Sequence, residues 1–582
     1  MKKFNILATA AVALGLTSCG IDDVENIGEM SQSQFPQTEA DAEAVLAGVY
    51  QNLNETHANP QCSFLYMACL ASDDQLGGGG ANDKLMQAHD LIASSGYDMT
   101  NQFYADRFKG VSRANVLIEV LKDADTPVKK QALGEALALR AFYYYELASM
   151  YGNVPLVRNA EEAEATQGDV AVLWGQILQD FRDAVKLMDS ERRTNGHLDK
   201  YTVEGLLTRA WLFYTGMYGN GSDIAALTST TYNPLTSVAL PDGSTMTKDS
   251  VKVYIKEAYE SDKLGYGLVP DFRNLWAYTN KLTVEQYDYT KGQGLKWVED
   301  DNAINPESMF AIKFNKQASW STTIGYANGI ALHFAVRNDN KYADTFPFGT
   351  GWGAGTVTEN LVIDWKAAEP NDMRRDATIQ DWSNYPNYHA ASAQDFIQET
   401  DYYSKKWSPI TNKRADGSYG PTFENDMYPD GWEISGVDNF QLGNIHDLVL
   451  LRYADVCLMY SELWEDVASL NRVRTRAGLP SIGGYSLEAL QNERRWELAC
   501  EGIRWNDIRR WHIAAAALDK QTGKHIYCNG SPDTNRPQCG GYVARYNATA
   551  GFAKMPETQV TLGVVVQNPG WTDASSDYGG WN

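Results

Sequence analysis

The sequence predicts a mostly α fold, with helical hairpins of the tetratricopeptide type flanking a large loop-rich insert. Three observations carry this. Apolar residues recur at helical spacing in stretches on both sides of the chain's centre. Those stretches are rich in Ala, Leu, Tyr and Trp. From about residue 267 to 445 the periodicity fades, and Gly, Asn, Pro, Trp and Tyr accumulate. The strict tetratricopeptide consensus is absent, so periodicity by itself supports an α-solenoid or a bundle.

In chain order, residues 40–53 place Val45, Val49 and Leu53 on one helical face, with Leu46 and Tyr50 beside them. Residues 103–121 continue through Tyr104, Phe108, Val111, Leu117 and Ile118. Residues 129–151 are rich in helix formers and stop at Gly152 and Pro155. Further helices are expected at 170–188, 203–218 and 250–264, then at 448–466, 487–500 and 503–518. The expected division is 1–18, 19–38, 39–266, 267–445 and 446–582: a leader, a polar tether, a helical part, the insert, and a second helical part with its tail.

Of the 582 residues, 43% are hydrophobic and 21% charged, a globular composition. Lys+Arg is 50 against Asp+Glu 74, a formal net charge of -24. So acidic a surface repels phosphate backbones and does not dock electrostatically on an anionic bilayer.

The chain starts Met1-Lys2-Lys3, followed by a mostly apolar run of 13 residues, 4–16. That is too short to cross a hydrocarbon core of about 30 Å and fits a secretory signal. Leu16-Thr17-Ser18-Cys19-Gly20 resembles a bacterial lipobox, with small residues before a cysteine. The expected processing lipidates Cys19 and removes 1–18; loss of Lys2 and Lys3 takes the net charge from -24 to -26. Several acyl chains on one residue anchor firmly, since each buried CH₂ contributes about 0.8 kcal/mol. No other stretch is apolar enough to span a membrane, so an anchored protein with a soluble body is expected.

Six further cysteines remain. The compartment beyond the inner membrane permits disulfides, and Cys528 and Cys539 bracket a loop rich in Asn, Gly, Pro and Asp, where a bridge is expected. Cys457 and Cys500 sit in helical patterns and read as buried thiols. Cys62 and Cys69 can pair only if no continuous helix joins them, because seven helical residues separate Cα atoms by about 10 Å.

Catalytic signatures are missing from the sequence. It contains no G-x-x-x-x-G-K-[ST], H-E-x-x-H or G-x-S-x-G. The run Gly77-Gly78-Gly79-Gly80 reads as a flexible surface loop. Glu493, Glu497 and Glu501 lie four apart on one helical face, and two carboxylates about 5–10 Å apart are what a glycosidase needs. Arg494, Arg495 and Arg504 lie within reach, and Arg–carboxylate locks explain the pattern without catalysis. Asp300-Asp301-Asn302 offers hard oxygen ligands for a structural calcium ion but lacks a recognisable ligand spacing; no cofactor is otherwise expected. The third constellation is aromatic. The chain carries 16 Trp and 33 Tyr, and eight tryptophans fall in the insert: Trp276, Trp297, Trp320, Trp352, Trp365, Trp382, Trp407 and Trp432. An exposed indole suits the C–H face of a pyranose ring, and nearby amides and carboxylates can bond its hydroxyls.

These residues resemble the SusD/RagB lipoproteins of Bacteroidetes outer membranes. The marks run in order: Ser72-Asp73-Asp74, Arg113-Ala114-Asn115, Leu139-Arg140-Ala141-Phe142-Tyr143-Tyr144-Tyr145-Glu146-Leu147 and Tyr151-Gly152-Asn153-Val154-Pro155. Asp372-Met373-Arg374-Arg375-Asp376, Lys406-Trp407-Ser408-Pro409-Ile410 and Leu451-Arg452-Tyr453-Ala454-Asp455 follow. Then come Asn471-Arg472-Val473-Arg474-Thr475-Arg476-Ala477-Gly478-Leu479, Glu493-Arg494-Arg495-Trp496-Glu497-Leu498, Glu501-Gly502-Ile503-Arg504-Trp505 and Gln567-Asn568-Pro569-Gly570-Trp571. The chain departs from the pattern at Cys457 and Trp464, and at Lys554-Met555-Pro556.

The resemblance implies a SusD-like α-α superhelix of four tetratricopeptide-like hairpins with loops beside them. It implies a surface lipoprotein of the outer membrane that sits as a lid on a SusC-like TonB-dependent barrel and delivers oligosaccharide to it without turnover. A peptide-binding member of the same family is the alternative, and a glycoside hydrolase using Glu497 and Glu501 the third reading. Ligand residues vary among members and are chosen here by chemistry: Trp276, Tyr278, Trp297, Trp320 and Trp352 as stacking platforms, and Asp73, Asp74, Asn82 and Asp83 as polar partners.

Overall fold

The structure, a computed structural model, describes residues 38–58, 63–78, 99–162, 165–314, 327–337, 345–384, 389, 398–428, 440–536 and 540–571. Cys19 and the lipobox, Cys62, Asn82, Asp83, Trp320, Trp432 and Cys539 lie outside the described residues.

Three long helices of the first block start with a side-chain cap. Thr126 accepts from the Lys129 amide and precedes a proline at the first helical position, so helix Pro127–Tyr151 starts with φ already set; Gly152, at φ 77°, ends it. Asp169 and Asp199 cap Val170–Leu187 and Lys200–Met217 in the same way. The helices then stack in sequence. Glu39–Ala58 packs on Met99–Leu121 and Pro127–Tyr151, Pro127–Tyr151 on Val170–Leu187, and that on Lys200–Met217. Lys200–Met217 packs on Lys248–Tyr259, which meets Tyr453–Trp464 of the second block. This is the neighbour-on-neighbour order of a helical solenoid. Pro127–Tyr151 is buried along nearly all its length, so its polar residues must find partners inside. Arg140 makes a two-pronged pair with Asp180 at 2.7 and 2.8 Å, and Arg107 meets Glu146 at 2.6 Å.

Two expected helices differ. Residues 448–466 divide into a strand, Leu448–Arg452, and a helix, Tyr453–Trp464. The strand pairs antiparallel with Ser308–Ile312, from Ser308↔Arg452 to Ile312↔Leu448. A short apolar run such as Leu448-Val449-Leu450-Leu451 suits helix or strand equally, and a partner some 140 positions away decides. Residues 503–518 break into Arg504–Arg510 and Ala514–Asp519. His512 sits at φ 57°, its ring nitrogens 2.8 and 3.0 Å from the carbonyl oxygens of Ser229 and Gly216. All sheets among the described residues are two-stranded, and no described helix is long and apolar enough to cross a membrane.

The insert does not stand apart as loops around water. It folds back on the second helical block, and its indoles supply much of the contact. Trp365 stacks on Trp496 at 5.2 Å and donates to Asp372, while Trp407 donates to the Cys500 carbonyl at 3.0 Å.

Candidate functional site

Among the described indoles of the insert, one is not fully buried. Trp352 is half-buried and meets Phe440 edge-on at 6.1 Å. Its position is set by backbone. The amides of Gly351, Trp352, Gly353 and Ala354 donate to the carbonyls of Val336, Leu332, Ala335 and His333 at 2.8–3.0 Å. On the other side Gly78 bridges to Ala354 and Gln75 to Val357. Two backbones therefore close on this loop, and only glycine fits the contact points. A Cβ on Gly351 would lie 2.1 Å from the Leu332 oxygen, and one on Gly78, at φ 67°, 2.3 Å from the Gly353 oxygen. Gly77 and Gly78 are thus buried and pinned, against the expectation of a flexible surface loop. Trp352, the large side chain among the small residues of Gly351-Trp352-Gly353-Ala354-Gly355, packs one part of its ring against the core and keeps the rest accessible. His333 beneath is driven down to about 3 by burial and stays neutral.

Asp73 and Asp74 are taken up by interior partners and are not available to a ligand. Both are buried. Asp73 accepts from Arg504 at 2.7 and 2.8 Å, and Asp74 from Arg495 at 2.9 and 2.7 Å. Burial alone would raise the Asp73 carboxyl; Arg504 and Arg495 hold it well below the usual range. The Asp73 carbonyl accepts from the Thr358 hydroxyl and the Asn360 amide, and the Asp74 carbonyl from the Thr358 amide. The expected sugar partners instead tie the segment just beyond the Trp352 loop to the C-terminal helices, because a carboxylate in the interior must be paired.

Trp276, Tyr278 and Trp297 are also corrected: all three are buried. Trp276 packs against Phe272 and Trp407, with the Lys406 ammonium 4.9 Å from its ring. Trp297 meets Phe423 edge-on at 5.3 Å. The Tyr278 hydroxyl donates to the Ala377 carbonyl at 2.9 Å. None offers a face to a sugar. Phe440 was not among the expected residues; no local pattern marks it, and only the Gly-Trp-Gly-Ala-Gly spacing hints that position 352 differs from the other tryptophans.

The carboxylates of the hydrolase reading form a closed network. Glu497 accepts from Arg374 at 3.0 Å, Arg452 at 2.8 Å and Arg476. Glu493 accepts from Arg374 and Arg474, and Glu501 from Arg452 and Lys406. Asp372 and Glu307 join it. Glu369 also pairs with Arg474 at 2.8 Å, so five cations (Arg374, Lys406, Arg452, Arg474, Arg476) face six carboxylates. Burial pushes Glu497 up, and Arg476, Arg452 and Arg374 more than reverse it, leaving the carboxylate ionised. A general acid needs the opposite shift and a path to substrate. Asp300 is fully buried, whereas Asp301 is exposed and pairs with Lys281. Among the described residues no group of three or more His, Cys, Asp or Glu is placed to hold a metal ion.

Cys457 and Cys500 are buried free thiols, as expected, and Cys69 is a third. Cys528 is also free among the described residues, and Cys539, its expected partner, lies outside them. The segment is a hairpin, His525–Cys528 with Ser531–Thr534, turning at Asn529 and Gly530 with φ 48° and 73°, and it sets Cys528 opposite Ser531.

Residues 277–571 match the profile of the SusD family, and residues 27–212 that described as starch-binding associating with outer membrane. Among curated relatives, SusD-like protein P38 of Formosa agariphila is 25% identical over 563 residues, 90% of this chain and 95% of that protein. SusD-like protein P2 of the same organism is 22% identical over 88% of this chain and 91% of its own. Among solved structures, a laminarin binding SusD-like protein superposes with a TM-score of 0.65 at 22% identity, covering 91% of this chain and 99% of its own. Surface glycan-binding protein A from Bacteroides thetaiotaomicron, in complex with laminarihexaose, gives 0.62 at 19% identity, with 90% and 98% covered. The first match spans just over half of the 582 residues and includes the Trp352 platform and the Arg–carboxylate network, and the chain belongs to the SusD family.

Proposed function

We propose that this chain is a non-catalytic glycan-binding protein of the cell surface, anchored through Cys19, that captures oligosaccharide at Trp352 and passes it to a TonB-dependent outer-membrane barrel. The half-buried indole in its glycine-braced loop carries the reading. It is a flat apolar face held rigid from beneath, so little conformational entropy is lost when a sugar ring lies on it. The paired state of Glu493, Glu497 and Glu501 supports binding without turnover. The family profile named for the outer membrane, and the neighbours named for laminarin and laminarihexaose, support the location and the ligand class. The test is titration of the soluble body, from about residue 21 onward, against laminarin oligosaccharides, other soluble glycans and peptides. Binding of a glycan that Trp352→Ala weakens supports the proposal. Binding of peptides alone, or glycan binding indifferent to position 352, refutes it. Co-purification of a barrel protein with the lipidated chain, lost in Cys19→Ala, tests the partnership.

A further inference from the structure

Away from Trp352, a polar cavity of about 100 Å³ opens between the 188–199 connection and the segment that leads into strand Ser308–Ile312. Arg192, Arg193, His197 and Lys313 line it, against the acids Glu299 and Asp447. Three of these bases have an acid partner: Arg193 pairs with Asp189 at 2.8 Å, His197 with Glu135 and Lys313 with Asp447. Arg192 stands out as a guanidinium on the cavity that no described carboxylate meets.

Each side chain of the lining is held in place by its partners. Arg192 donates to the carbonyls of Gly265 and Asn305 at 2.7 and 3.3 Å and lies 4.2 Å from the Tyr266 ring centre. Among the described residues no carboxylate pairs with it. His197 is oriented through Nδ1, 2.6 Å from Glu135, which also accepts from Tyr50 and Gln131. That contact raises the proton affinity of the imidazole, and Nε2 is left for another partner. Of the acids, Asp447 pairs with Lys313 at 2.5 Å. Burial, then the Asp447 charge, push Glu299 up to about 7, and Asn305 donates to it at 3.1 Å.

We propose that this cavity is a subsite for an oxyanion-bearing sugar, whose carboxylate or sulfate group seats against Arg192 and His197. A guanidinium and an imidazole edge donate hydrogen bonds to such a group from two sides. Asn305 and the Glu299 carboxyl stand where ring hydroxyls would follow. The sugar part rests on the glycan reading above; the oxyanion part does not.

The soluble body is titrated calorimetrically with glucuronic acid, glucose 6-sulfate, inorganic sulfate and glucose. The proposal expects both acidic sugars to bind at least tenfold more tightly than glucose, with affinity falling as salt rises. Arg192→Gln and His197→Asn should each weaken them about tenfold, and Trp352→Ala should leave them unchanged. Should either variant fail to fold, Lys313→Gln, at a side chain 44% exposed on the rim, replaces it and should lower affinity severalfold. Failure of both acidic sugars to bind, equal binding of glucose, binding of inorganic sulfate alone, or indifference to these substitutions overturns the proposal. Loss of neutral glycan binding in Trp352→Ala with acidic binding intact separates this subsite from the platform.

Discussion

Asp73 and Arg504 lie 431 positions apart and meet in a two-pronged ion pair, Nε to Oδ1 at 2.7 Å and Nη2 to Oδ2 at 2.8 Å. With Asp74 and Arg495 beside it, this pair fastens the chain leaving the helix Phe64–Leu70 to the helices Leu487–Glu497 and Arg504–Arg510, and Thr358, a few residues beyond the Trp352 loop, bonds to the join. The family motifs at both ends of the chain are therefore two halves of one mechanical element.

Removing one partner leaves a buried charge uncompensated, which typically costs about 3–5 kcal/mol. Arg495→Ala should lower stability by that order in urea denaturation. At a temperature where the variant remains folded, glycan affinity should change far less than in Trp352→Ala, because Asp74 and Arg495 are buried.

Trp352 and Trp276 should separate cleanly. By analogy with stacking of bases on aromatic side chains, Trp352→Ala should cost about 1–3 kcal/mol of binding with little effect on the melting temperature. Trp276→Ala empties a buried site and should cost about 3–5 kcal/mol of stability. Calorimetric titration paired with thermal melts reads both.

Glu497→Gln tests the scaffold role of the carboxylate network. Prolonged incubation of wild type with oligosaccharides should yield no products by chromatography, and the variant should be less stable. Turnover in wild type that the variant loses would restore the hydrolase reading.

Two acids predict opposite pH behaviour. Burial raises Asp455, and Arg494 and Arg209 reverse this, holding it at about 2. Its unfolded value is about 3.9, so the folded chain releases this proton more readily. The resulting stabilisation, ~2 kcal/mol, is present above about pH 4 and lost as the pH falls towards 2. The stability gap between wild type and Asp455→Asn should narrow by that amount over the same window. Asp300 is the reverse case. Burial raises it to about 6, and the Lys281 backbone amide only partly offsets this. The folded chain keeps a proton that the unfolded chain gives up near pH 4, so this residue subtracts stability as pH rises from about 4 through 6. Asp300→Asn should match wild type near pH 4 and exceed it at pH 7, measured by denaturation midpoints.

The helices were legible wherever capping and period agree in one stretch: Thr126 with Pro127 and Gly152 mark Pro127–Tyr151 to within a turn. The strand Leu448–Arg452 was not, because its partner Ser308–Ile312 is distant in sequence and a short apolar run carries no period of its own. The site divides along the same line. Composition counts tryptophans but does not see what covers them, and Trp365 and Trp407 are covered by Trp496 and the Cys500 carbonyl of a later helical block. Asp73 and Asp74 misled for a related reason: acids beside a glycine run suggest a wet loop until Arg495 and Arg504 are brought against them.

The most direct test of the central claim is titration of the soluble body with laminarin oligosaccharides, wild type beside Trp352→Ala, with melting temperatures recorded for both. The account predicts saturable binding without hydrolysis in wild type, and a loss of about tenfold or more in a variant that melts normally. Equal affinity in the two proteins would contradict it.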